Sequence, residues 1–347
     1  MDDRPGHGTR SSPTAAGRRR RRGRTIAALD LGTNNCRLLI ARPSAGGFRV
    51  IDGFSRIVRL GQGLDATGEL CETAIERTVD ALAVCAAKIR RHRVARARYV
   101  ATEAARRAAN CAGFLARVAA ETGIELDIIS SREEARLTLM GCLPLFDPAV
   151  PYGLIFDVGG GSAEIVWLRL TGDGGQEILG WISLPVGVVT LTERHGADDF
   201  SADEYETTVR EVAAMLAPFD AEHGIRRRIG QGRVQMLGTA GTVTTLAGVS
   251  LGLERYDRAV VDGSYLTFDE IRRISLLLSR SNYAERAAHP SIGNGRADLV
   301  VAGCAILEAI CRTWPAGRLR VADRGVREGI LLQLAAELGA GPAHGRA

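Results

Sequence analysis

Two segments of this chain pair a carboxylate with a glycine-bearing turn: DLGTNNCRL over residues 30–38 and DVGGGSAEI over residues 157–165. In each, an apolar run delivers an Asp (Asp30, Asp157), a turn follows, and a small hydroxyl residue (Thr33, Ser162) lies within it. Glycine leaves the backbone free to aim successive N–H groups at one point, and such a concavity binds anions, phosphate above all. A carboxylate facing phosphate is repulsive unless a cation lies between them. Magnesium suits that place, because it takes one or two carboxylates together with water and phosphate oxygens. Either segment alone is what an ordinary hairpin turn looks like, since Asp and Gly favour turns anyway. Two of them at matching positions call for more than turn chemistry.

Three further segments carry candidate chemistry. LGTAGTVTTLAG, residues 237–248, follows a short apolar run and opens a helical pattern; helix N-termini attract phosphate. ISSREEARL, residues 129–137, places Glu133 and Glu134 in a first helical turn. Such a pair commonly compensates the helix dipole. At a junction between two domains, however, a carboxylate also looks into the cleft, where it could accept a proton from water attacking phosphorus. ATEAARRAAN, residues 101–110, sets Arg106 and Arg107 just past a strand end, suited to a phosphate clamp or to an exposed helix face.

The elements that must position these residues read as two similar halves. Strands are expected at 26–29 and 37–42, with β pattern continuing over 48–60. A helix of about twenty residues from Glu72, a strand at 99–101, a helix over 110–122, a strand at 126–129 and a helix from Arg132 follow. The opening then recurs: strands at 154–157, 163–169 and 177–184, helices from Val186, Asp203 and Thr242, a strand at 236–238, and helices over 298–312 and 326–336. This is a duplicated α/β architecture with a cleft between its halves.

Composition narrows the class. Residues 1–24, with eight Arg against Asp2 and Asp3, supply more than the whole formal net charge of +5, which leaves the rest of the chain near −1. That tail has almost no apolar surface to offset ordering entropy and is expected to be disordered, free to contact polyanions. Seven scattered Cys without a C-x-x-C pair indicate neither a disulfide framework nor a zinc site. The most hydropathic stretch, 137–156, contains three Pro and Asp147, which excludes a spanning helix. The N-terminus has no apolar core of a secretory signal, so a cytoplasmic location is expected.

In order, DLGTNNCRL, VRLGQGLD, ATEAARRAAN, IISSREEARL, DVGGGSAEI, GTAGT, GRADLVVAG and DRGVREGIL resemble the motifs of the exopolyphosphatase and guanosine pentaphosphate phosphohydrolase (Ppx/GppA) family in its short two-domain form. The resemblance implies the fold of the acetate/sugar kinase, heat-shock chaperone and actin superfamily: two ribonuclease H-like domains facing across a cleft. It divides the chain into a tail (1–24), a first domain (25–133), a second (134–322), a C-terminal helix (323–338) packing back on the first domain, and a tail (339–347).

The same resemblance implies roles. Glu134 becomes the catalytic base, with Glu133 the second candidate. Asp157 and Glu164 place metal and water, Asp30 joins them as a magnesium ligand, and Arg106 contacts phosphate. Gly32, Thr33 and Asn34 with Arg37, and Gly159, Gly160, Gly161 and Ser162, bind the substrate. The implied substrates are inorganic polyphosphate and the guanosine pentaphosphate alarmone, and a homodimer would be compatible. Departures are Asn35, where the family commonly has a hydroxyl, and Ala240, where Gly is frequent. Against longer members, the resemblance leads us to expect no additional C-terminal helical domains here and so a weaker grip on very long polyphosphate. An ATP-dependent kinase on the same fold, and a non-catalytic sensor of the same anions, are the rival readings.

Overall fold

A nearly continuous apolar run over Ile26–Leu31 opens an antiparallel meander of β1 (Ile26–Leu31), β2 (Asn35–Ser44) and β3 (Gly47–Ile57). The protein is seen here in a computed structural model that describes residues 25–171, 175–196 and 200–339; the expected tails, 1–24 and 339–347, lie outside it apart from Gly339. β4 (Arg96–Ala101) and β5 (Asp127–Ile128) extend the sheet in the order β3-β2-β1-β4-β5. Because β4 runs parallel to β1, the chain must cross over between them. The Glu72–Arg91 helix makes that crossover, burying Ile75, Val79, Leu82 and Ala86, residues at helical spacing.

The second half repeats the plan. β6 (Tyr152–Val158), β7 (Ala163–Leu170) and β8 (Gln176–Leu184) form a meander, and β9 (Val234–Thr239) runs parallel beside β6. β10 (Tyr265–Thr267) and β11 (Arg318–Val321) complete the order β10-β11-β9-β6-β7-β8, so the second sheet matches the first with one antiparallel edge strand added. The fold is therefore α/β and duplicated, with two mixed sheets each at the centre of a domain. No helix among the described residues is long and apolar enough to cross a membrane.

Two helices join the halves. The Ser131–Cys142 helix, capped by the Ser130 hydroxyl accepting from the Glu133 N–H, sends Leu137 toward the first sheet and Ala135, Leu139 and Cys142 toward the second. A boundary between 133 and 134 thus falls inside one continuous element that serves both domains. The Val326–Gly339 helix lies on the first sheet, where Val326, Ile330, Leu331 and Leu334 meet Ile26, Ala28 and Leu39. The two helices cross at glycine: a Cβ on Gly329 would stand 2.1 Å from Leu137 O, and one on Gly141 2.3 Å from Gly325 O. Larger residues there would force the backbones apart.

Departures from the sequence-based expectations are local. The β pattern expected to Leu60 ends at Ile57, and the helix expected from Val186 begins at Val188. β10, β11 and the Phe268–Arg280 helix were not anticipated, although the Thr267 and Glu270 capping box that starts this helix is legible in the sequence.

Candidate active site

β1 and β6 each end in a turn at the cavity between the domains, and the two turns are built alike. Gly32 N–H donates to Asn35 O and Gly159 N–H to Ser162 O, each at 2.9 Å. Those two amides close their turns and so leave the set expected to face phosphate. The N–H groups of Thr33, Asn34, Gly160, Gly161 and Ser162 make no hydrogen bond among the described residues, and all five residues line the cavity, whose volume is about 420 Å³. The loops are in contact instead of being set apart. A Cβ on Gly161 would lie 3.0 Å from Thr33 Oγ1 and 3.1 Å from Glu103 Cγ.

Strand register then distributes the charge. Arg37 stands opposite Asp30 on β1 and β2, and Glu164 stands opposite Asp157 on β6 and β7, so equivalent positions of the two hairpins carry opposite charges. Two carboxylates facing each other across a ladder are disfavoured. Burial, with Asp30 nearby, pushes Asp157 up to about 6, and burial with Asp157 nearby pushes Glu164 up to about 7. Asp30 is also raised by burial, against the lowering influence of Arg327 and Arg37. Asp157 receives only a 3.5 Å contact from Thr138 Oγ1, and Asp30 accepts no side-chain hydrogen bond among the described residues.

Two half-buried, under-bonded carboxylates on the cavity wall fit a hydrated magnesium ion, which needs no more than that from the protein. No group of three or more His, Cys, Asp or Glu among the described residues could hold a metal by itself. Glu164, expected as a third ligand, is 4% exposed and lies behind the cavity wall. Its carboxylate is held by Ser183 Oγ at 2.9 Å and by Ser162.

Glu134 lines the cavity and Glu133 does not. Glu133 is tied to Arg98 and Arg136 at 2.8 and 2.7 Å, which hold its pKa down to about 2 against the cost of burial. Burial and the charge of Glu164 push Glu134 well above the ordinary carboxylate range, and Arg106 works against them. Arg106 itself is withdrawn from the cavity wall. Its guanidinium donates to Glu134 Oε2 at 2.9 Å, to Ile129 O at 2.6 Å and to Glu103 Oε2 at 2.7 Å. In the free chain the guanidinium expected to clamp phosphate is thus engaged by two carboxylates and the Ile129 carbonyl.

A family model for the Ppx/GppA phosphatase family matches residues 39–338. The chain belongs to the Ppx/GppA family. It is similar to Exopolyphosphatase 2 of Mycobacterium tuberculosis, at 35% identity over 325 residues that cover 89% of this chain and 98% of that one. Among solved structures it resembles an exopolyphosphatase-like protein at 30% identity and a TM-score of 0.81, covering 91% of this chain and 99% of that one. It also resembles the Aquifex aeolicus Ppx/GppA family member, at 28% identity and a TM-score of 0.73, covering 92% and 99%. The chain is thus a hydrolase of the exopolyphosphatase family.

In this Ppx/GppA member the second domain supplies a wall that sequence reasoning described only in part. Thr239, Ala240, Gly241 and Thr242 of the third loop line the cavity, and Ala240 adopts φ 75°, a conformation that disfavours any residue with a Cβ. Tyr256, Arg258, Arg296, Arg324 and Arg327 line it too, and none was assigned a role beforehand. Arg296 lies in GRADLVVAG, and Arg324 and Arg327 lie in DRGVREGIL, so ordered motifs marked their place without stating a function. Tyr256 and Arg258 carry no such signal. Tyr256 is held by its hydroxyl, which donates to Asp323 Oδ2 at 2.6 Å.

Proposed function

We propose that this chain hydrolyses the terminal phosphoanhydride bond of inorganic polyphosphate and accepts guanosine pentaphosphate as a second substrate. The observation that carries the reading is the placement of Glu134: a half-buried carboxylate on the wall of a cavity that also holds two loops of unbonded amides. The N–H groups of Thr33, Asn34, Gly160 and Gly161 bind oxygens of the phosphoryl group and meet the charge that spreads over them in the transition state. Glu134 accepts the proton of the attacking water at its carboxylate, and Arg106 fixes the orientation of that carboxylate. Asp30 and Asp157 would hold magnesium, which supplies charge neutralisation to the phosphate oxygens. The raised pKa of Glu134 makes it a stronger base once ionised.

Guanosine pentaphosphate is favoured as the second substrate by Tyr256, an exposed aromatic residue on the cavity wall that offers its ring to a nucleoside. The test is phosphate release measured side by side on short polyphosphate, long polyphosphate, guanosine pentaphosphate and ATP, with magnesium and with chelator. Magnesium-dependent release from polyphosphate is expected to exceed release from ATP. Transfer of phosphate from ATP to a small acceptor would instead establish a kinase, and tight anion binding without release would establish a sensor.

A further inference from the structure

β2 and β3 carry an arginine pair at the end remote from the cavity. Arg42 stands opposite Arg49 in the strand register, and like charges placed across a ladder repel. Side chains alternate along β2: Ile40 packs toward the Glu72–Arg91 helix, Ala41 toward the Val326–Gly339 helix, and Arg42 follows on the Ile40 side. Arg37, which lines the cavity, lies on the other face and five residues back, about 17 Å along the strand.

The Glu72–Arg91 helix ends beside this pair. Lys88 Nζ and His92 Nε2 each reach Asp52 of β3 at 2.8 Å, three residues from Arg49, and Arg90, Arg91 and Arg93 flank His92. Those two contacts engage both oxygens of Asp52 and leave none for an arginine. Arg42, Arg49, Arg90, Arg91 and Arg93 are all exposed, and none makes an ion pair or a side-chain hydrogen bond among the described residues. Basic residues at a helix C-terminus are ordinary, since the dipole favours them. The opposition of Arg42 and Arg49 has no such compensation.

Whatever covers this surface has to be anionic. The described chain enters at Thr25, whose carbonyl accepts from Ala95 N–H at 2.8 Å, two residues from Arg93, and the 24 residues before it carry eight Arg. Like charge sets aside that segment, and equally a second copy of the same surface. A bilayer is disfavoured, because Val50 is the one large apolar side chain exposed there among the described residues, which leaves little to insert. Arginine forks match phosphate oxygens, and these five are spread over two strands and a helix end, a breadth that suits the rows of phosphates on a nucleic acid.

We propose that Arg42, Arg49, Arg90, Arg91 and Arg93 form a docking surface for the phosphate backbone of a nucleic acid, separate from the cavity. No aromatic side chain stands exposed among them, so the contact reads no base and is driven by release of counterions. Bound phosphates also offset the repulsion between Arg42 and Arg49.

Fluorescence anisotropy of the full chain with a labelled DNA duplex of about 20 base pairs, over a series of salt concentrations, tests this. Arg42→Gln, Arg49→Gln and Arg91→Gln combined are expected to weaken binding at least about tenfold at low salt and to reduce the slope of log affinity against log salt by about 2–3. Arg272→Gln, Arg273→Gln and Arg280→Gln combined remove the same charge from an exposed face of the Phe268–Arg280 helix and should change affinity by less than about threefold. Phosphate release from tripolyphosphate should stay within about twofold in both variants, because none of these residues lines the cavity. A parent chain that binds no duplex, a first variant within about threefold of the parent, equal losses in the two variants, or a fall in phosphate release that matches the loss of binding would each overturn the proposal. A first variant that loses capture of long polyphosphate and keeps the duplex would overturn it too, and would give the surface to a substrate chain instead.

Discussion

Gly160 and Thr33 touch across the boundary between the two domains: a Cβ on Gly160 would stand 2.9 Å from the Thr33 Cβ and 3.3 Å from the Asn34 N. The amide groups of both loops therefore converge on one place, and the absence of a side chain at position 160 is a condition of that convergence. Gly160→Ala is expected to separate the loops. It should lower kcat/KM at least tenfold while costing about 1–3 kcal/mol of stability, the usual range for overpacking. Kinetics and urea unfolding on the same preparation check both parts, and full activity in the Ala variant would show that the contact has no functional consequence.

Glu134→Gln removes the proton acceptor at nearly constant volume and should lower turnover by roughly two to four orders of magnitude with substrate affinity largely kept. Glu133→Gln should change turnover by less than about threefold, because its carboxylate is engaged by Arg98 and Arg136 away from the cavity. Single-turnover phosphate release separates the two. Comparable losses in both variants would remove the distinction drawn between these neighbours.

Asp157 and Glu164 titrate near 6 and 7 in the folded chain, against ordinary values of 3.8 and 4.5. The folded chain thus keeps protons that the unfolded chain has released. Without metal, their contribution to stability is fully present below about pH 4 and is lost as pH rises to about 7, a change on the order of a few kcal/mol. Magnesium favours the ionised carboxylates, so its stabilising effect should be larger at high pH. Urea midpoints at pH 5 and pH 7.5, with chelator and with magnesium, measure this; a magnesium shift that is equal at both values counts against Asp30 and Asp157 as its ligands.

Ala240 holds φ 75° at the entry to the Ala240–Ser250 helix. Glycine adopts that conformation without the steric cost a Cβ incurs, which is about 1–2 kcal/mol. Ala240→Gly should raise the melting temperature without changing magnesium dependence. A lowered melting temperature would show that the entropy gained by glycine in the unfolded chain outweighs the relief.

Hydrophobic period and turn chemistry are local properties, and they determined much of this protein in advance. An apolar strand, an Asp and a glycine-bearing turn recur at Asp30 and Asp157, and that repetition alone established the duplicated α/β plan and the place of both loops. The ordered motifs likewise pointed to Glu134 on the junction helix. Side-chain pairing is not local. Arg106 reads as a phosphate contact in the sequence, and only the fold pairs it with Glu134, 28 residues along the chain, and with Glu103 on its own short helix. Strand register, not motif spelling, set Glu164 against Asp157 and turned its carboxylate to Ser183 behind the wall. The packing of the Val326–Gly339 helix on the first sheet decided that Arg327 would line the same cavity as Asp30 and Arg37, residues some 300 positions earlier in the chain. Which charge is satisfied and which is left for a ligand depends on such long-range encounters, and only the tertiary structure fixes them.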